Sequence, residues 1–403
     1  MTEFEFLPRF PLPVNPLALF GVLLLAGVLC GEFTRRVLNL PRITGYVLSG
    51  LALGSSGLGL LDATMRDYAR VFVDIGLGLV LFELGMRLDL AWLNRDRWLA
   101  MMAGAECVLS FACMFGALVW FDISPLHAAV AAAVGVSSSP AVVLLVAREL
   151  KAEGQVTERS LNLVAINSVV AVLALTMLLS WIHQEYQSGP VTMVLHPLYL
   201  LLGSLLLGLL AAHLTLDLAR WLQKRVEQHA ALLLAMIVFL VGASSVLKLS
   251  ILMVMLSFGM LVRNLDDEHV LMSVDTGRLG QIFYIVLFVA IGAVLNVANL
   301  AVSGALAVVF IAARFVGKSV GVLSFAHLSG IRPGSGGLLS LALLPMSGGA
   351  MAMTLGSAAS YPGFDTRLAG MVLAASLLLD LAGPLAVQFA LRRAGESHEE
   401  EKT

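Results

Sequence analysis

Thirteen apolar stretches occupy most of this chain, and they leave it few ways to fold. They run over 15–34, 43–61, 68–87, 98–121, 125–147, 160–182, 196–219, 229–246, 249–263, 279–297, 299–327, 335–359 and 367–391. Roughly 20 mostly apolar residues let a helix cross the hydrocarbon of a bilayer. Inside that layer every backbone N–H and C=O needs a partner within the protein, which limits spanning structure to helices and closed barrels. Runs of this length specify helices, so the expected fold class is an all-α polytopic membrane protein. Only 13% of the residues are charged, about half the share of an ordinary soluble domain. The eighth and ninth stretches are short and are divided only by Lys248 and its neighbours.

Lysine and arginine orient the chain. Of the 25 such residues, 18 follow odd-numbered stretches, among them Arg35, Arg36, Arg42, Arg148 and Arg392. Five, Arg9, Arg66, Arg70, Lys248 and Arg367, fall on the opposite side. Basic residues collect on the cytoplasmic side of membranes. The bias predicts a periplasmic N-terminus, a cytoplasmic C-terminus and an odd number of spans, which supports thirteen independently of hydropathy. The opening "MTEFEFLPRFPLPVNP" lacks the basic start of a signal peptide, so the first apolar run reads as a retained span. The expected organisation is a transmembrane domain over 1–391 and a short cytoplasmic tail over 392–403, too short for a regulatory nucleotide-binding domain.

Several function classes find no support. A net charge of −2 argues against nucleic acid as a partner. Cys30, Cys107 and Cys113 lie in apolar stretches without a CxxC or His/Cys cluster, so no disulfide framework, metal site or cofactor is indicated. No HExxH, GxSxG or paired-Asp motif lies on any of the apolar stretches to point to a membrane enzyme.

Two stretches carry helix-breaking chemistry at mid-depth. The fifth reads "AAAVGVSSSPAVVLLV", with Gly135, Ser137, Ser138, Ser139 and Pro140. The twelfth reads "LALLPMSGGAMAM", with Pro345, Ser347, Gly348 and Gly349. Proline removes a backbone hydrogen bond, and glycine tolerates unwound backbone. Either alone fits a kinked helix in a packed bundle. Together they lie seven stretches apart, an odd offset, so the two interrupted helices run in opposite directions. Interrupted segments at matching positions of inverted halves are the sequence pointer to a transporter's binding site. The offset makes stretches four to six and eleven to thirteen the two halves of a core, with the seventh as a linker.

In order along the chain, "LPRITGYVLSGLALGSSGLGLL", "DIGLGLVLFELGMRLDL", "SSSPAVVLLVARELKAEGQVTERSLNLVAINSVVAVLAL", "FYIVLFVAIGAVLNV" and "DLAGPLAVQFALRR" resemble successive spans of the monovalent cation:proton antiporter-2 family. The resemblance covers nearly the whole chain and extends to the family's Kef-type membrane components. It implies the sodium/proton antiporter fold, a bacterial inner-membrane location and exchange of Na⁺ or K⁺ for protons by an elevator-like movement of the core against a dimerising scaffold. It also implies a homodimer, with any regulation supplied by a separate cytosolic subunit. Members of the family carry a carboxylate in the sixth span that binds either the cation or the proton. Here the matching pair is Asn167 and Ser168, so either the proton-carrying group lies elsewhere or exchange is lost.

The candidates are the few charges inside apolar stretches. A charge in a membrane span is costly and is by default a functional-site hypothesis. Arg314, in "LAVVFIAARFVGKSVGVLSFA", cannot deprotonate and therefore serves as a fixed counter-charge. Asp380, in the thirteenth stretch, is either the partner that neutralises Arg314 or Lys318, or the surviving titratable acid. Glu106, in the fourth, either pairs with Arg314 or Lys318 or sits near the membrane edge. Lys318, one turn from Arg314, is expected to snorkel toward a membrane surface. Glu83, with Asp74 on a different face of the third stretch, is expected to be a scaffold carboxylate capped by Arg87. His327 reads as an interfacial histidine. Ser137, Ser138 and Ser139, with Asn167 and Ser168, offer neutral oxygens for a dehydrated cation or simply satisfy the unwound backbone. Two further readings stay open: a cationic core that carries an anion, and a membrane sensor that transports nothing.

Overall fold

A computed structural model of the chain describes residues 16–54, 56–59, 63–87, 97–186, 190–222, 226–266, 271, 276–295, 297–332, 334–346 and 366–398. Within them the regular structure is helical throughout. The helices are α1 (Pro16–Val37), α2 (Arg42–Leu53), α3 (Ala63–Arg87), α4 (Arg97–Trp120), α5 (Pro125–Val136), α6 (Pro140–Glu149) and α7 (Gln155–Tyr186). There follow α8 (Pro190–Trp221), α9 (Val226–Val246), α10 (Ile251–Leu265), α11 (Thr276–Val294), α12 (Ala298–Ala326), α13 (Ser335–Ala342) and α14 (Thr366–Arg393). Eight spans among the described residues are long and apolar enough to cross a membrane, and α10 and part of α11 form shorter apolar helices.

Local chemistry sets many of the boundaries. Pro16, Pro125, Pro140 and Pro190 each open a helix, where the missing N–H has no intrahelical role. Ser139 and Ser250 cap α6 and α10 by accepting from the N–H of Val142 (3.3 Å) and Met253 (3.5 Å). Arg35 and Arg36, Arg263, and Arg392 and Arg393 close α1, α10 and α14, where cations offset the negative end of the helix dipole.

The fifth apolar stretch is broken as expected. α5 stops at Val136, Ser137 and Ser139 are extended, and Pro140 starts α6. In the twelfth, α13 ends at Ala342 and residues 344–346 are non-helical. Ser347, Gly348 and Gly349, expected in that break, lie outside the described residues.

The helices form two groups. α4–α7 pack with α12–α14, and α1–α3 pack with α9–α11. α8 touches both α7 and α10, the linker position expected of the seventh stretch. Buried apolar side chains fall into two clusters. One runs through the second group and onto the Arg148 end of the first, through residues such as Leu144, Ala147 and Leu391. The other, around Met114, Phe310 and Met371, is built only from the first group.

Candidate functional site at the crossing of two interrupted helices

α4 and α12 meet backbone to backbone. A Cβ added to Gly317 or Gly321 would collide with the Cα of Ser110 or Glu106. This close approach brings Glu106 against Lys318, one turn from Arg314 on the same face of α12.

Lys318 and Glu106 are fully buried and form an ion pair. Lys318 Nζ also donates to the carbonyl of Val136 (2.8 Å), the last residue of α5. Lys318 therefore does not snorkel. A carboxylate one helix away and an orphan carbonyl satisfy its charge inside the protein, so no drive remains to reach the membrane surface. Glu106 is correspondingly a core carboxylate and not a membrane-edge one.

Arg314 is also fully buried, and its partners are neutral. Nε donates to the carbonyl of Gly135 (2.7 Å), and Nη1 to that of Leu344 (2.6 Å). Nη2 faces the carbonyls of Ser137 (2.9 Å), Pro345 (3.3 Å) and Leu343 (3.4 Å), and the Ser138 hydroxyl (3.2 Å). These carbonyls belong to the C-terminal ends of α5 and α13. Each helix end carries roughly half a negative charge, so the two together offset one guanidinium. The expectation that Asp380 or Glu106 hydrogen-bonds Arg314 is corrected: its protein hydrogen bonds go to unwound backbone and the Ser138 hydroxyl.

The two breaks are stitched together. Ser139 N–H donates to the carbonyl of Pro345 (3.0 Å) and Ser138 Oγ to that of Leu343 (2.8 Å). From α7, Asn167 Oδ1 accepts from Ser138 N–H (3.1 Å), while its Nδ2 donates to Ser138 Oγ (3.3 Å). Ser168 Oγ donates to the Ser138 carbonyl (3.2 Å), and Ser137 Oγ donates back to Val134 (2.8 Å). The serines, Asn167 and Ser168 thus satisfy the unwound backbone.

Asp380 stands apart. It is 5% exposed, and its Oδ2 has no hydrogen-bond partner among the described residues. On α14 it lies between Ser376, whose Oγ is 3.9 Å from Met346 Sδ, and Gly383, which packs on Pro345. Spacings of four and three residues put all three on one face, so Asp380 looks toward the break in the twelfth stretch. The reading of Asp380 as the neutralising partner of Arg314 or Lys318 is not what the structure shows. A buried acid beside the crossing, with Oδ2 unpartnered among the described residues, is.

The remaining candidates lie elsewhere. Glu83 pairs with Arg148 (2.8 Å) and accepts from the Tyr284 hydroxyl (3.1 Å); the side chain of Arg87 lies outside the described residues. Asp74 is half-buried and His327 exposed. Sequence reasoning passed over Gly317 and Gly321, although their small-xxx-small spacing is a known signal for close helix packing. It counted Arg148 only as a cytoplasmic charge and gave Glu149 and Glu396 no role.

A broken helix meeting a second helix end across a buried arginine matches the discontinuous-helix core of a secondary transporter. The sodium/hydrogen exchanger transmembrane pattern matches residues 20–393, and the chain belongs to that family. The sodium proton antiporter MjNhaP1 of Methanocaldococcus jannaschii has the same fold. Two structures of it superpose with TM-scores of 0.69 and 0.75 at 16% identity, covering 96% and 95% of this chain and 99% of theirs. Among sequence relatives, the Na⁺/H⁺ antiporter NhaS5 of Synechocystis sp. is 34% identical over 102 residues, 25% of this chain and 14% of its own length. The iron transporter MagA of Paramagnetospirillum magneticum is 40% identical over 70 residues, 17% of this chain and 15% of its own length. The chain thus covers only a small part of those two relatives.

Proposed function

We propose that this protein is a secondary transporter of the cation:proton antiporter-2 type, exchanging Na⁺ or K⁺ for protons across a bacterial inner membrane by alternating access. The observation that carries the reading is Asp380, a buried acid with an unsatisfied oxygen beside the crossing. Among the described residues the other charges there are matched within the protein: Lys318 by Glu106, and Arg314 by two helix ends. Asp380 is then the group for which cation and proton compete, taking over the role that Asn167 and Ser168 cannot fill. Family membership and the shared fold support the same reading. The arginine distribution favours a periplasmic N-terminus and a cytoplasmic C-terminus. An anion carrier would need hydrogen-bond donors to spare at the crossing. Nε and Nη2 of Arg314 are engaged with protein oxygens among the described residues, which leaves at most one N–H, on Nη1, for an anion and weighs against that reading.

The test is purified protein in liposomes, with proton movement followed under imposed Na⁺, K⁺ or Li⁺ gradients. The wild-type chain is expected to move protons against at least one cation, and Asp380→Asn to abolish the movement while leaving the protein folded. Anion-driven flux without any cation response would overturn the reading. Silence toward both ions would favour the membrane sensor.

A further inference from the structure

The core grips the scaffold through two adjacent residues at the end of α6. Arg148 forms an ion pair with Glu83 of α3 (2.8 Å), and Tyr284 of α11 donates its hydroxyl to the same carboxylate (3.1 Å). Glu149, the next residue, accepts from the N–H of Arg42 (3.1 Å) and lies 3.6 Å from Arg35 Nε. Arg42 is the first residue of α2, whose preceding residue, Pro41, supplies no side-chain cap. Glu149 therefore fills the capping position of a scaffold helix from across the interface. These pairs lie on the side that the arginine count assigns to the cytoplasm. The apolar packing that joins core to scaffold gathers at the same end, whereas the cluster at the far end is made from core helices alone.

We propose that Arg148–Glu83 and Glu149 with α2 form a latch that closes the cytoplasmic route to the crossing. The proposal rests on the transport reading above and deepens it. α6 links the two ends: Ser139, at its start, is bonded to Pro345 within the crossing, and Arg148 and Glu149, at its finish, hold the scaffold. The core opens toward the cytoplasm only by withdrawing this end of α6 from α2 and α3. Doing so separates Arg148 from a carboxylate buried in the scaffold and uncaps α2. The latch thereby biases the transporter toward the periplasm-facing state until the site is loaded.

Thiol labelling tests this in inside-out membrane vesicles holding the full chain. Cys30, Cys107 and Cys113 are replaced by alanine, and Ala147→Cys, a buried α6 position, serves as reporter for a membrane-impermeant maleimide. Labelling is expected to be slow with the latch intact and at least about fivefold faster in Glu83→Gln or Arg148→Gln, because the equilibrium moves by the free energy removed from one state. Exchanging the charges, Glu83→Arg with Arg148→Glu, is expected to bring labelling back toward the reference rate. Tyr284→Phe removes only one hydroxyl and is expected to give a smaller rise in a folded protein. Unchanged labelling in these variants overturns the proposal, as does a lower melting temperature with no faster labelling of the folded fraction. If the single charge variants fail to fold, unaltered labelling in Tyr284→Phe overturns it as well. Labelling needs no ion gradient, so a chain silent in the liposome assay still reports on the latch.

Discussion

A guanidinium with no exposed surface survives inside this protein because carbonyl oxygens at two helix ends replace the water it has lost. The planar, multi-donor geometry of arginine suits this task. Its fork reaches Gly135 on one helix and Leu344 beyond another at once, where a lysine ammonium is a single compact charge. Arg314→Ala leaves several buried carbonyls without donors, at about 1–3 kcal/mol each. The substitution is therefore expected to lower stability by at least about 3 kcal/mol, measured by thermal unfolding in detergent. Arg314→Lys is expected to fall between the two, since it keeps the charge but loses the reach. A result in which Arg314→Ala melts like the wild type would remove Arg314 as the pin of the crossing. The sequence singles out Arg314 because a charge among apolar residues is conspicuous. It hides the partners, because any residue type contributes the same carbonyl.

Among elements, the α4–α12 crossing fixes the geometry on which Glu106 and Lys318 depend. Gly317 and Gly321 remove the side chains that would otherwise hold the helices apart. Gly321→Val is expected to force α12 away from the backbone of Glu106 and to cost about 1–3 kcal/mol from overpacking alone. A further loss is expected as the buried Lys318–Glu106 pair is stretched. If the damage runs through that pair, Glu106→Gln with Lys318→Met in the Gly321→Val background adds less destabilisation than it does in the wild-type chain. Full additivity in a double-mutant cycle would show that the glycine matters for packing only. The all-helical membrane fold, the break between Val136 and Pro140 and the end of a helix just before Pro345 were legible in hydropathy and in proline and glycine placement. The pairing of Lys318 with Glu106 was not, because they lie on different helices and periodicity says nothing about which faces meet. The snorkelling expectation failed for the same reason: a partner out of sight in the sequence outweighs the general tendency of lysine to seek the surface. Arg148 and Glu149 were hidden among the ordinary charges that flank many of the apolar stretches.

At the scale of the whole molecule, the chain beyond α14 folds back onto the core. The Glu396 carboxylate accepts from the N–H of Val156 and of Thr157, and from the Thr157 hydroxyl, each at 2.8 Å. Backbone bonds add Glu153 to Glu396 (3.0 Å) and His398 to Leu150 (3.1 Å). The tail so caps α7, the helix that bears Asn167 and Ser168, and ties it to α14, which bears Asp380. Gly154 makes room for it, since a Cβ there would strike the Glu396 side chain. Glu396→Ala is expected to cost about 1–2 kcal/mol, the usual loss for a helix N-cap, with Glu396→Gln losing less. Melting curves check this, and a Glu396→Ala protein as stable as the wild type would show that the tail does not brace the core.

The far apolar cluster, around Met114, Phe310 and Met371, is confined to the core helices. Its members shield one another and take no support from the scaffold. A body built this way resembles a piston that carries its own seal: its far half keeps its packing whatever it rests against. If the core moves as the proposed exchange requires, Arg314 and Lys318 keep their partners at the crossing, and the contacts given up are those of Arg148 with Glu83 and of Glu149 with α2.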